Sequence, residues 1–234
     1  MDCDSGNTVS IWMATAGVFD QGGLENDIET DVCVVGAGIA GLAVAYELSK
    51  AGRKVVVLDD GVPGGGETSR TTAHLSNALD DRYFEVEKVH GKEGARLAAE
   101  SHTRAINRIE EIIKQEGIHC DFSRLDGYLF AEDAEGVREL DKEVDAAQRA
   151  GLVGVTRADR PLVANQEMTA CLRFPEQAQF HVLKYLSGLI SVIKKAAGAF
   201  IRTPMPIPCW PRRTVLLSRL RSPPDMRSKP GPWL

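Results

Sequence analysis

Gly36, Gly38 and Gly41 stand in G-x-G-x-x-G spacing, and Asp59 follows at the end of an apolar run. Together these residue types can hold a dinucleotide. The first glycine permits a tight turn out of a strand. The second has no Cβ, so a pyrophosphate can approach the backbone, and the third lets a helix pack close to a sheet. A helix opening at this point aims its N–H groups at the phosphates, where the macrodipole favours negative charge. A carboxylate at Asp59 can accept hydrogen bonds from ribose hydroxyls and repels a 2′-phosphate. A second donor-rich stretch follows, GVPGGGETSRTTAHLSNALDD. Gly64, Gly65 and Gly66 exclude a helix interior. Thr68, Ser69, Arg70, Thr71 and Thr72 supply hydroxyl and guanidinium donors suited to phosphate oxygens or a polar ring edge. A solvated loop with an ordinary Ser/Thr helix cap accounts for them equally well. The sequence identifies no catalytic base. His74 follows the Ser/Thr/Arg donors and either faces a bound ligand or, the better-supported reading, makes a structural hydrogen bond; His102 reads as a packed, hydrogen-bonded histidine, and Tyr128 as core or cavity lining.

The elements that must position these residues are legible around them. Residues 31–59, DVCVVGAGIAGLAVAYELSKAGRKVVVLD, read as one βαβ unit. Residues 32–35 and 55–58 have the short, β-branched character of buried parallel strands. Leu42, Ala45, Tyr46 and Leu48 give the helix between them a buried face, and Gly52 caps it. This predicts an α/β fold with a Rossmann-like FAD/NAD(P)-binding core. The unit alone does not separate FAD from NAD. Further along, residues 91–117 carry an amphipathic helical pattern through Ala95, Ala98, His102, Ala105, Ile106, Ile109, Ile112 and Ile113. CDFSRL and GYLFAE read as two strands around a turn at Asp126-Gly127. Residues 134–150 read as a charged surface helix. Pro161 and Pro175 mark turns in a less regular stretch. Residues 181–197 read as a last helix with Leu183, Leu186, Leu189, Ile190 and Ile193 on one face.

Composition bounds the remaining possibilities. The chain has 234 residues, 43% hydrophobic and 26% charged, with net charge −5. That is ordinary globular material, with no general reason to expect nucleic acid as partner. No apolar run reaches the length of a membrane span. The acidic N-terminus lacks the basic and apolar regions of a signal peptide. Five cysteines are scattered without a C-x-x-C or Cys/His cluster, so neither a metal site nor a disulfide framework is expected. A reducing cytoplasm is the expected compartment. Residues 1–29 read as an irregular leader, with Trp12 and Met13 able to dock on a surface that the sequence does not specify.

The opening βαβ unit, the GGGETSRTTAHLSNALDD loop and the segment FPEQAQFHVLKYLSGLISVIKKAAGA together resemble the FAD-dependent oxidoreductases of the D-amino-acid-oxidase-like group, which includes glycine, sarcosine and γ-glutamylputrescine oxidases. The similarity is strongest to a bacterial subgroup whose longer members can carry a C-terminal Rieske domain. The resemblance runs from about residue 11 to residue 198. It implies that Gly36, Gly38, Gly41 and Asp59 bind the ADP half of FAD, with Ser69, Arg70, Thr71 and Thr72 near the pyrophosphate or the isoalloxazine. It also implies a small-molecule amine or amino acid substrate, oxidised by hydride transfer to flavin N5. An NAD-dependent dehydrogenase and a catalytically inactive FAD-binding fragment are the competing readings.

The resemblance breaks after Gly198. Residues 199–234 hold eight of the eleven prolines, six arginines, one lysine and one aspartate. Proline at this density blocks helix interiors and central strands. The family's next strand is expected to be missing, replaced by IRTPMPIPCWPRR, and no Rieske C-x-H…C-x-x-H pair is present. The expected organisation is a leader (1–29), a truncated FAD-binding domain (30–198) and a disordered tail of foreign or shifted-frame origin (199–234). A genuine proline-rich linker is the alternative for that tail.

Overall fold

Four consecutive β-branched or leucine residues, Val55 to Leu58, are all buried, as a strand flanked on both sides in a parallel sheet should be. They lie in β2 (Val55–Asp59), which pairs in parallel with β1 (Val32–Val35) on one side. The computed structural model describes residues 8–17, 28–131, 133–158, 170–196 and 198–202. The chain divides into two units, Met1–Thr71 with Val182–Leu234, and Thr72–His181.

In the first unit, α2 (Ile39–Lys50) follows β1 and packs on both β1 and β2. Its buried residues are Leu42, Ala45, Tyr46 and Ser49. After β2 the chain forms a short 3-10 turn, Glu67–Arg70. The unit is completed by α5 (Val182–Lys195), which buries Val182, Leu183, Tyr185, Leu186, Leu189, Ile190 and Ile193. All five residues expected on its inner face are among them.

Two expectations are corrected in this unit. The strand expected to be missing after Gly198 is present. Residues Ala199–Arg202 form β7, parallel to β2, with Val56 opposite Ala199 and Asp59 opposite Arg202. The sheet order is therefore β1-β2-β7. The proline argument fails here because the first proline after Gly198 is Pro204, which leaves Ala-Phe-Ile-Arg free to donate to a ladder. Residues 203–234 of the expected tail lie outside the described residues. The leader is also not wholly irregular. Ser10 caps a short helix, α1 (Ile11–Thr15), by accepting a hydrogen bond from the Met13 N–H at 3.2 Å. This helix packs on α5 and on the 3-10 turn.

The second unit is an antiparallel sheet with two helices on one face. Its long strand β6 (Ala170–Gln179) pairs along one edge with β4 (Ser123–Ala131). Its other edge is shared by β3 (His74–Leu75) and β5 (Thr156–Ala158). The helices are α3 (Tyr83–Glu116) and α4 (Ala134–Arg149). Tyr83, Ala95, Ala99, Leu140, Ala146 and Ala147 from the helices meet Leu172 and Phe174 of β6 in one apolar cluster. Helix α3 starts earlier than its periodicity suggests, and Gly91 interrupts it with a non-helical φ of 71°. Gly117 ends it in the left-handed region, as expected.

The expected hairpin at Asp126-Gly127 does not form. β4 runs straight through this dipeptide, and its partner is β6. The irregularity lies on the partner strand, where Leu125 faces Gln177 and Gly127 faces Phe174. β6 thus carries one extra residue, absorbed at Pro175, which has no N–H to donate, and at Glu176, with φ 61°. Pro175 therefore marks a bulge and not a turn; Pro161 lies outside the described residues. His102 and Ala105, assigned to the apolar stripe of α3, are exposed. Helix α4 is charged, as expected, yet Glu143 on it is 1% exposed.

Candidate dinucleotide site

The site is built where β1 hands over to α2. Gly36 leaves the strand with φ 99°, a conformation that a side chain would strain, while its N–H still reaches Leu58 O at 2.7 Å. The Ala37 N–H donates to Asp59 Oδ2 at 2.5 Å, and Ala37 O accepts from the Gly64 N–H at 2.9 Å. Gly38 is the N-cap of α2 and offers no side-chain acceptor to it. The first N–H of the helix, that of Ile39, donates instead to Thr68 Oγ1 at 3.2 Å. A Cβ at Gly41 would lie against the carbonyl oxygen of Gly36, so this helix sits as close to the loop as only glycine allows.

These residues fit a pyrophosphate. A Cβ built on Gly36 meets no atom within 4 Å, and one built on Gly38 meets only Thr68 Oγ1, at 3.3 Å. The backbone is thus open to a ligand beside a helix N-terminus with no acidic residue in its first turn, a favourable place for an anion. Asp59 lies at the adjacent strand end. Its Oδ2 holds Ala37 and its Oδ1 accepts from the Gly61 N–H at 2.8 Å. A carboxylate offers about four lone-pair positions, so two backbone donors leave capacity for ribose hydroxyls. Burial pushes the Cys33 thiol on β1 above its ordinary value, which disfavours a reactive thiolate there.

The donor-rich turn divides its labour in a way the sequence did not show. Ser69 is buried and donates to Gly66 O at 2.9 Å, so it braces the turn itself. Arg70 Nη1 donates to Thr8 O at 2.9 Å and to Thr8 Oγ1 at 3.3 Å. Thr71 is exposed, and its carbonyl accepts from Trp12 Nε1 at 2.8 Å. Thr72 is exposed and opens the second unit. Thr68 is the residue of this turn that reaches the glycine loop, and sequence reasoning counted it only as one of several donor hydroxyls. Nothing in T-S-R-T-T singles out Thr68, because each hydroxyl is locally equivalent until the turn is docked. His74, in β3, and Tyr128, in β4, are both exposed. Among the described residues no cluster of His, Cys, Asp and Glu could hold a metal ion, and no helix is long and apolar enough to cross a membrane.

The chain is similar to known proteins over most of its length. The family model for FAD dependent oxidoreductase matches residues 31–207. YhfW of Bacillus subtilis (strain 168), which bears the name of a Rieske 2Fe-2S iron-sulfur protein, is 32% identical over 175 residues, covering 75% of this chain and 34% of that protein. Gamma-glutamylputrescine oxidoreductase of Escherichia coli (strain K12) is 30% identical over 179 residues, covering 75% of this chain and 42% of that protein. The chain therefore spans about a third to two fifths of the length of these curated relatives. Among solved structures, L-amino acid deaminase from Proteus myxofaciens aligns with a TM-score of 0.63 at 14% identity, over 80% of this chain and 41% of that one. Glycine oxidase from Geobacillus kaustophilus aligns with a TM-score of 0.60 at 19% identity, over 73% of this chain and 46% of that one. At these identities the structural likeness speaks for the fold.

Proposed function

We propose that this chain, which belongs to the FAD dependent oxidoreductase family, is the FAD-binding portion of an enzyme that oxidises an amine or amino acid. The observation that carries the reading is the open glycine cradle of Gly36 and Gly38 at the N-terminus of α2, with the Asp59 carboxylate at the neighbouring strand end. In this reading Gly36, Gly38 and Gly41 admit the pyrophosphate, and the positive N-terminal end of α2 binds it. Asp59 accepts from the ribose while keeping the loop closed through Ala37. Thr68 orients the turn toward the phosphates, Ser69 braces it from within, and Arg70, Thr71 and Thr72 continue toward the flavin. When bound, FAD supplies a hydride acceptor at N5 for a substrate C–H next to nitrogen, and the resulting imine hydrolyses. The substrate class rests on the names of the relatives, among them an oxidoreductase of γ-glutamylputrescine and an oxidase of glycine.

The test is the absorption spectrum of the purified chain after incubation with FAD and gel filtration, beside Gly38→Val. A valine there places its side chain where the pyrophosphate should lie, against Thr68. The wild-type chain should retain flavin and the variant should emerge colourless. Equal flavin in both overturns the assignment. An amine-oxidation assay on the flavin-loaded chain then tests turnover.

A further inference from the structure

The segment upstream of the family match is tied to the turn beside the glycine loop by hydrogen bonds that run in both directions. Trp12 Nε1 donates forward to Thr71 O at 2.8 Å, and Arg70 Nη1 donates back to Thr8 O at 2.9 Å. These contacts join residues 59 and 62 positions apart, and the family match begins only at residue 31. We propose that residues 8–17 form a strap that holds the turn Glu67–Arg70 in its cofactor-competent position, with Trp12 as the positioning residue.

The physical need for such a strap lies in the turn itself. It follows three consecutive glycines, Gly64, Gly65 and Gly66, which lose more conformational freedom on ordering than any other residue. Within the turn, Ser69 braces the backbone by its hydroxyl. Thr71 then leaves it in an extended conformation, with φ −67° and ψ 157°. Thr68 reaches the first N–H of α2 only if the turn stays where it is. The strap grips the C-terminal end of the turn at both Arg70 and Thr71. Its own helix is fixed by the Ser10 cap and by packing on α5, whose inner face is buried. Trp12 therefore acts on the phosphate-binding end of α2 through Thr71 and Thr68, without touching the ligand.

This proposal rests on the FAD reading above, and two measurements on the full chain keep their failures apart. The first is hydrogen–deuterium exchange of the FAD-free protein. Trp12→Phe keeps an aromatic ring and loses the donor. Exchange should rise across residues 64–71 and at the Ile39 N–H, and stay unchanged in the rest of α2 and in β2, with the melting temperature unaltered. The second is FAD titration by flavin fluorescence. Loss of one neutral hydrogen bond should raise the dissociation constant about fivefold. Ser10→Ala, which uncaps α1, should move both readouts in the same direction by a smaller factor, so the proposal does not depend on one variant. A wild-type chain that takes up no FAD overturns the underlying reading. A wild-type chain that binds FAD, with exchange in 64–71 or the dissociation constant unmoved by Trp12→Phe, overturns the strap alone.

Discussion

Gly41 on the first turn of α2 faces the carbonyl oxygen of Gly36, so closely that a Cβ would lie against that oxygen. Helix α2 is thereby seated directly over the loop that turns out of β1. On an unconstrained helix, Gly→Ala stabilises by about 0.8–1.0 kcal/mol. Here Gly41→Ala should instead destabilise the protein by about 1–3 kcal/mol, the usual cost of forcing atoms into a filled site. Urea denaturation checks it, and a stabilised variant would show that the helix can move away freely.

Asp59 serves two backbone donors at once, those of Ala37 and Gly61. Asp59→Asn leaves one acceptor oxygen, so one of these N–H groups loses its partner. Bonds to charged groups are worth about 1.5–3 kcal/mol. The variant should lose stability in that range and bind FAD at least about tenfold more weakly, as equilibrium dialysis would report.

Asn77 and Gln177 form a reciprocal amide pair inside the second unit. The Asn77 N–H donates to Gln177 Oε1 at 2.7 Å, and Gln177 Nε2 donates to Asn77 Oδ1 at 2.8 Å. Both residues are buried. Gln177→Leu leaves the Asn77 amide groups short of partners, and stranding a buried polar group costs about 1–3 kcal/mol. The double variant with Asn77→Leu should cost less than the sum of the two single changes. Asn77→Leu keeps the backbone N–H, so the cycle reads the bond between the two side chains, and additivity would contradict that bond.

Glu143 lies on α4 and caps α3, with Oε2 accepting from the Phe84 N–H at 3.3 Å. Burial holds its carboxyl above the ordinary carboxylate value, against the opposing pull of the Phe84 and Tyr83 N–H groups and of the Arg82 charge. A group whose folded value is raised keeps its proton longer in the folded state. Stability therefore falls as pH rises from the ordinary carboxylate value through the folded one. Glu143→Gln keeps an acceptor for Phe84 and cannot ionise. The melting temperature of the variant relative to wild type should climb with pH across that window. A difference that stays constant would mean that Glu143 does not titrate there.

Local chemistry made much of this chain legible in its sequence. Gly36, Gly38 and Gly41 announce a phosphate loop because the constraint on each is steric and acts within a few residues. The inner face of α5 is readable because helical periodicity needs no knowledge of its partner. Long-range pairing was not readable. Asp126-Gly127 has the composition of a hairpin turn, yet β4 continues through it because β6 supplies a ladder from more than 40 residues away. The four residues after Gly198 look like the start of a proline-rich tail, and become β7 because β2 offers a free edge in the right register. Thr68 and Ser69 are chemically alike in the sequence, and only the docked turn sends one hydroxyl to α2 and the other back into the loop. A hydrogen bond selects its partner by distance and direction, and for residues far apart in the chain these exist only once the tertiary fold has formed.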